Sequence, residues 1–281
     1  MASEAMASEP TTPHYTLLHS AAAAQQLADA AGDSQDGVLG NHPGLARREI
    51  APKTFRQEGA TMKVGILGSG DVAQALGSGF LRHGHAVTLG TSSAAKLAAW
   101  QARNPGGRVA QFAEAAAFGE TIVLAVKGTA AAEVLRSAGA AALAGKVVID
   151  ACNPIADGAP ENGVLPFFTR PDESLLERLQ AEFPKARLVK AFNSVGSALM
   201  VNPRFEGGNP TMFLCGNDAG ARKTVADIIV QFGWEPADMG KAEAARAIEP
   251  LCRLWCIPGF LHDEWSHAFK LLRQGSPAPG S

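Results

Sequence analysis

The sequence predicts an α/β protein: a doubly wound parallel sheet with a small α/β extension at its C-terminal end. Two observations carry this expectation. From residue 62 onward, short apolar runs alternate with longer amphipathic ones, the pattern of parallel strands joined by crossover helices. The first of these runs leads through a glycine turn into a helix and then into a second strand. The chain's 281 residues suffice for one large domain or two small ones.

The elements follow in order. "KVGIL", residues 63–67, is a short apolar strand running into Gly68-Ser69-Gly70-Asp71-Val72-Ala73, a G-x-G-x-x-A turn. The next helix carries Val72, Ala75, Leu76, Phe80 and Leu81 at helical spacing, and His83-Gly84 ends it. "HAVTL", residues 85–89, is the second strand. This order is Rossmann-like. Gly68 permits the tight turn, Gly70 lets a pyrophosphate approach the backbone, and Ala73 lets helix and strand pack closely. The helix N-terminus then offers free N–H groups to phosphates. A bare G-x-G-x-x-A is weak evidence, but its strand-turn-helix-strand context points to a dinucleotide.

The end of the second strand selects the cofactor. NAD sites place an acid there to accept from the ribose hydroxyls, and NADP sites avoid it. Here the chain reads Thr91-Ser92-Ser93, with Lys96 one turn later. Three hydroxyls, a helix start and one ammonium can hold a 2′-phosphate, so NADP(H) is favoured over NAD. The competing reading is that Ser92 or Ser93 only caps a helix.

Further strands are expected at residues 108–112, 121–126, 146–151, 187–192 and 211–216, with a short one near 234–238. Helices are expected around 130–137, 174–183 and 218–233. A loop with Gly158, Pro160, Gly163 and Pro166 precedes the second of these, and residues 241–273 read as helical with a break at Pro258-Gly259. In such sheets ligands lie at the carboxyl ends of the strands. Those ends carry Val126-Lys127, Asn153-Pro154 and Asn193. Asn153 is either a turn former beside Pro154 or a ligand contact, and Asn193 either a loop residue or a contact. His262 and His267 accompany Trp255, Phe260, Trp265 and Phe269 in the last helical region, an aromatic stripe that suits packing or a homodimer interface.

Residues 1–61 differ in composition, being rich in Ala, Ser, Gln, Asp and Pro, and are expected to form a disordered extension; 274–281 form a similar tail. Acids precede the first Lys or Arg, Arg47, which argues against a targeting peptide. Gln57-Glu58-Gly59 can be encoded by a purine-rich stretch like a bacterial ribosome-binding site, so Met62 is the expected native start. Residues 62–195 are then the cofactor-binding domain and 196–273 a smaller α/β portion.

Several classes are excluded. A net charge of -2 gives no footing for nucleic acid. No apolar run approaches membrane-spanning length. The four cysteines, Cys152, Cys215, Cys252 and Cys256, are too scattered for a disulfide scaffold and fit a reducing cytoplasm. Cys252 and Cys256 share a helical face but lack two further metal ligands, so no metal is expected. The only tyrosine is Tyr15, which excludes a short-chain dehydrogenase with its Tyr and Lys pair. No catalytic acid or base is assigned. That absence is awkward for an alcohol dehydrogenase and comfortable for hydride exchange between two rings, where positioning is most of the work.

The runs "MKVGILGSGDVAQALGSGFLRHGHAVTLGT", "VVIDACNPI", "LVKAFNSVGSALMVNP" and "FLCGNDAGARKTVADIIVQFGWEPADMG" resemble the coenzyme F420-dependent NADP oxidoreductases, over residues 62–273. The resemblance implies hydride exchange between NADP(H) and a deazaflavin. It places Gly68, Ser69, Gly70, Asp71 and Val72 in the phosphate loop. Thr91 and Ser92 fall at the 2′-phosphate, where family members often carry Arg in place of Ser92. Val126 and Lys127 fall beside the cofactor, and Asn153, Pro154 and Asn193 near the nicotinamide. Related domains form the cytoplasmic part of membrane ferric reductases, which pass hydride to a flavin, so coenzyme F420 or a flavin is the expected small-molecule co-substrate. The competing functions are an NADPH-dependent reductase of a small imine or carbonyl compound and a non-catalytic NADP(H)-binding sensor. The imine and 3-hydroxyacid reductases add a long all-helical domain, for which this C-terminal portion is short.

Overall fold

The computed structural model describes residues 61–274. The expected extension, the expected tail and Tyr15 therefore lie, apart from Thr61 and Gln274, outside the described residues. Six parallel strands form the sheet: β1 (Lys63–Leu67), β2 (Ala86–Gly90), β3 (Arg108–Ala110), β4 (Thr121–Leu124), β5 (Val147–Asp150) and β6 (Arg187–Lys190), in the spatial order β3-β2-β1-β4-β5-β6. The order reverses between β1 and β4, the kind of switch point at whose carboxyl ends such sheets bind ligands. The strands are short apolar runs because both faces of the sheet are covered. All of β4 and β5 is buried, and the last residues of β5 and β6, Asp150 and Lys190, bring charge into that interior.

The helix α1 (Asp71–Arg82) buries Ala73, Leu76, Gly77 and Phe80, one stripe at helical spacing. That stripe joins a core with Trp100 of α2 (Ala98–Arg103) on one face of the sheet. Burying the Phe80 ring alone is worth about 1.5–3 kcal/mol. The opposite face holds α3 (Phe112–Phe118), α4 (Ala131–Ala138), the single turn α5 (Ala140–Leu143) and α6 (Leu175–Glu182). A two-stranded parallel sheet follows, β7 (Thr211–Leu214) and β8 (Glu235–Asp238), with α7 (Ala219–Gln231) between them. An antiparallel bridge from Lys190 to Cys215 links it to the end of β6. The chain then forms α8 (Ala245–Ile248) and α9 (Pro250–His262).

Four expectations change. The third strand stops at Ala110, because Phe112 opens α3, a helix the apolar periodicity did not announce. The Glu114 carboxylate accepts from the Gln111 N–H at 3.0 Å, half of a capping box. The strands expected to reach 126, 192 and 216 end at Leu124, Lys190 and Leu214, where the chain turns into loops. The last helix is not broken at Pro258-Gly259. It runs through Pro258 and ends where Asp263 turns left-handed. Residues 263–274 are not helical, so Trp265, His267 and Phe269 share no helix face with Trp255. They fold back instead. Trp265 lies against the bare face of Gly259, Trp255 stacks on His267 with centroids 5.1 Å apart, and the Phe269 carbonyl accepts from the Thr211 N–H at 2.8 Å.

One backbone feature stands directly behind the loop of β6. Phe192 is buried and adopts a left-handed conformation, φ 61°. Its ring packs on Phe232 at 5.9 Å, and its N–H lies 3.2 Å from the Met212 sulfur.

Candidate cofactor site

The carboxyl ends of the strands bring the expected residues to one edge, in the order in which the strands lie. Ser92 and Ser93 follow β2, Gly68 to Ala73 follow β1, Val126 and Lys127 follow β4, Asn153 and Pro154 follow β5, and Asn193 follows β6.

The glycine turn divides its work unequally. Gly68 sits at φ 147°, and a Cβ there would collide with the Ala125 carbonyl oxygen and lie 3.2 Å from the Ala73 Cβ. Its bareness serves the packing of β1, β4 and α1. At Gly70, the residue before α1, no atom lies within 4 Å of where a Cβ would stand. That empty space faces the start of α1, where no side chain caps the helix. The first-turn N–H groups are thus aimed at an open cradle suited to a pyrophosphate. Gln74 braces the turn by donating to the Ser69 carbonyl at 2.9 Å.

Past β2 the side chains separate. Thr91 is buried, and its hydroxyl is occupied in its own turn, accepting from the Ser93 N–H at 3.1 Å and donating to the Ser93 carbonyl at 3.2 Å. Ser92 and Lys96 are exposed and Ser93 is half-buried. Ser93 makes no side-chain cap, and the chain continues as a four-residue 3-10 turn before α2. The helix-capping alternative for these serines is therefore not what the fold uses, and the hydroxyls free to meet a phosphate are two rather than three.

On the other side of the switch point, Asn153 and Asn193 bind each other. The Asn153 side chain donates to the Asn193 carbonyl at 2.7 Å, and the Asn193 side chain donates to Asn153 Oδ1 and to the Ile248 carbonyl, both at 3.0 Å. Asn193 is therefore more than a loop residue: it ties β5, β6 and the segment before α9 together. Its Oδ1 is buried and has no hydrogen-bond partner. Gly128 closes the edge, since a side chain there would strike the Asn153 carbonyl.

Beneath this amide pair lies a charge cluster that the sequence reading missed. Lys190, wholly buried, reaches Asp150 Oδ2 at 2.7 Å and Glu249 Oε1 at 2.9 Å, and donates to the Cys152 carbonyl at 2.8 Å. Burial alone would disfavour the ammonium, but Asp150 and Glu249 outweigh it and hold the Lys190 pKa above its usual value. Removing one partner of such a cluster costs about 3–5 kcal/mol, because the remaining charges stay buried. The visible signal was opposite charges closing two buried strands, in "VVID" and "RLVK".

No acid/base machinery stands out. The four cysteines are free and buried. Burial, and then Asp150, pushes the Cys152 thiol up; burial brings Cys215 to about 12; a hydrogen bond with Cys256 leads the rise at Cys252. Each of these three shifts disfavours the thiolate. His267 Nε2 pairs with the Trp255 carbonyl at 2.9 Å, and His262 ends α9 in solvent. Among the described residues no group of His, Cys, Asp or Glu could hold a metal ion. Nor, among them, is any helix long and apolar enough to cross a membrane.

Comparison with known proteins gives the same direction. The family model described as NADP oxidoreductase, coenzyme F420-dependent, matches residues 63–154. The metalloreductase STEAP3 of Rattus norvegicus is 32% identical over 204 residues, which are 71% of this chain and 39% of the relative. The human metalloreductase STEAP2 is 31% identical over 110 residues, 39% of this chain and 20% of the relative. The chain thus spans less than half the length of these curated relatives. A solved structure from Arthrobacter sp. FB24, assigned as an F420-dependent NADP-reductase, is 33% identical. It matches over 75% of this chain and 100% of its own, with a TM-score of 0.71. A reductive aminase from Aspergillus terreus, solved with NADPH, shares the fold at 18% identity and a TM-score of 0.53, over 72% of this chain and 63% of its own.

Proposed function

From the premise that this chain belongs to the coenzyme F420-dependent NADP oxidoreductase family, we propose that it exchanges hydride between NADP(H) and a deazaflavin of the coenzyme F420 type or a flavin. That it is an NADP-dependent oxidoreductase follows from the family; the acceptor is our reading. The observation that carries it is the open cradle at Gly70, on the same edge of the sheet as the amide pair at Asn153 and Asn193. NADPH, when bound, supplies a hydride from its nicotinamide ring. In this reading the first-turn N–H groups of α1 hold the pyrophosphate. Ser92, Ser93 and Lys96 hold the 2′-phosphate, with Thr91 shaping their turn. Val126, Lys127 and Pro154 flank the cofactor, and Asn153 and Asn193 set the floor beneath the ring. No side chain has to move a proton at the reacting carbon, so positioning carries the rate. The reaction belongs in a reducing cytoplasm, where the four thiols remain thiols.

The direct test mixes the protein with NADPH and oxidised coenzyme F420, or with flavin mononucleotide, and follows the absorbance of both rings. Reduction of either ring at the expense of NADPH supports the reading; no reduction of either, with reduction of an added cyclic imine, would replace it.

The cofactor choice has its own expected result. NADPH should bind at least about tenfold more tightly than NADH, or about 1.4 kcal/mol. Ser92→Asp should reverse the preference, because a carboxylate repels a 2′-phosphate and accepts from a 2′-hydroxyl. Calorimetry with both nucleotides checks this, and equal affinities in the unaltered protein would sink it.

A further inference from the structure

Three elements meet at a single buried cation. Lys190 closes β6, Asp150 closes β5 opposite it in register, and Glu249 leads into α9. The ammonium donates to the Cys152 carbonyl and lies within ion-pair distance of Asp150 Oδ2 and Glu249 Oε1. Each carboxylate spends its remaining capacity on backbone. Asp150 Oδ1 accepts from the Cys152 N–H at 2.9 Å, and Glu249 accepts from the Leu175 and Leu176 N–H groups at 2.9 and 3.0 Å. The Cys152 residue is thus gripped at both its N–H and its carbonyl, immediately before Asn153. Ile248, immediately before Glu249, gives its carbonyl to Asn193. Asn153 is therefore one residue from the gripped Cys152, and Asn193 bonds the residue that precedes Glu249.

We propose that Lys190 is a positioning residue for hydride transfer: with Asp150 and Glu249 it fixes the height of the Asn153–Asn193 amide pair against which the nicotinamide half of the cofactor rests. The proposal rests on the reading that this ledge receives the nicotinamide. A well-packed apolar cluster would hold three elements together as firmly as buried ions do. What it would not do is grip a particular peptide at two atoms. A compact ammonium can face two carboxylates and a carbonyl at once from the end of β6, a role for which a planar guanidinium is less suited. Transfer between rings tolerates little error, since a displacement of about 1 Å costs on the order of a hundredfold in rate.

The test uses Lys190→Met and the milder Glu249→Gln, with three readouts on the full chain. The first is the affinity for 2′,5′-ADP, which carries the adenosine end and its 2′-phosphate but no nicotinamide. The second is the fluorescence of bound NADPH, which reports how firmly its nicotinamide is held. The third is kcat with flavin mononucleotide. Both variants should bind 2′,5′-ADP within about twofold of the unaltered protein. Both should lose the NADPH fluorescence enhancement, and Lys190→Met should lose about a hundredfold in kcat. Retained fluorescence and kcat in both variants would overturn the positioning role alone. So would a parallel loss of 2′,5′-ADP binding, or failure of both variants to fold, since the cluster would then be structural only. If the unaltered protein shows no NADPH enhancement, the reading of the ledge falls and the proposal falls with it.

Discussion

Gly70→Val is expected to abolish NADPH binding and leave the protein folded. The backbone at Gly70 has φ -76° and ψ 178°, an extended conformation that valine adopts without strain. No protein atom stands within 4 Å of the new Cβ, so folding loses nothing by its arrival. The space it occupies is the one proposed for the pyrophosphate beside the first N–H groups of α1. The expected loss is at least about a hundredfold in affinity, or about 2.8 kcal/mol at 1.4 kcal/mol per decade. A melting curve and a calorimetric titration, read together, check it. Gly68→Val should do the reverse, because its Cβ meets the Ala125 carbonyl oxygen and its φ of 147° suits only glycine. That variant should melt far lower. If Gly70→Val binds NADPH as the unaltered protein does, the phosphates lie elsewhere.

The second large effect concerns the chemistry. Asn193→Leu should slow turnover about a hundredfold, the scale of a misplaced reacting geometry. Leucine has a similar branched shape but no donors, so the Asn153 side chain and the Ile248 carbonyl lose the partner that joins them. His262→Ala, His267→Ala and Lys127→Ala should each change turnover less than the hundredfold or so that a general acid contributes. His262 and Lys127 are exposed, and the His267 ring is spent on the Trp255 carbonyl. With NADPH deuterated at the transferred position and a deazaflavin as acceptor, the label should appear on the acceptor's ring carbon and not in water; a flavin takes hydride at a nitrogen that exchanges with solvent and does not serve this test. Label in solvent with the deazaflavin, or one histidine whose loss stops turnover while NADPH still binds, would refute ring-to-ring transfer.

The glycine turn proposed to hold the phosphates was readable because its geometry is local. Gly68, Gly70 and Ala73 act within one turn, and a strand-turn-helix-strand order fixes where that turn points. The parallel sheet was readable because strands buried on both faces must be short apolar runs. The amide ledge was only half readable: Asn153 and Asn193 could be placed at strand ends, but their mutual bonds join residues far apart in the chain. The Lys190 cluster was missed for the same reason, since Glu249 arrives from beyond the sheet. Phe112–Phe118 escaped because an alanine-rich helix shows little apolar period, although Gln111 and Glu114 marked its start. Pro258 misled for a different reason. A proline is a strong local helix breaker, yet here the helix continues while Trp265 packs over Gly259 beside it.

The left-handed Phe192 gives the site its own temperature limit. A non-glycine residue held in that conformation stores about 1–3 kcal/mol, and it persists only while its surroundings insist on it. Those surroundings are Phe232, which follows α7, and Met212 of β7, so the loop carrying Asn193 is cocked by the smaller sheet layer rather than by its own strand. When warming loosens that layer, the backbone has an incentive to relax at Phe192 first, releasing the ledge while the six-stranded sheet is still assembled. Catalysis in this protein should therefore fail cold of the melting point, as a loss of aim before a loss of shape.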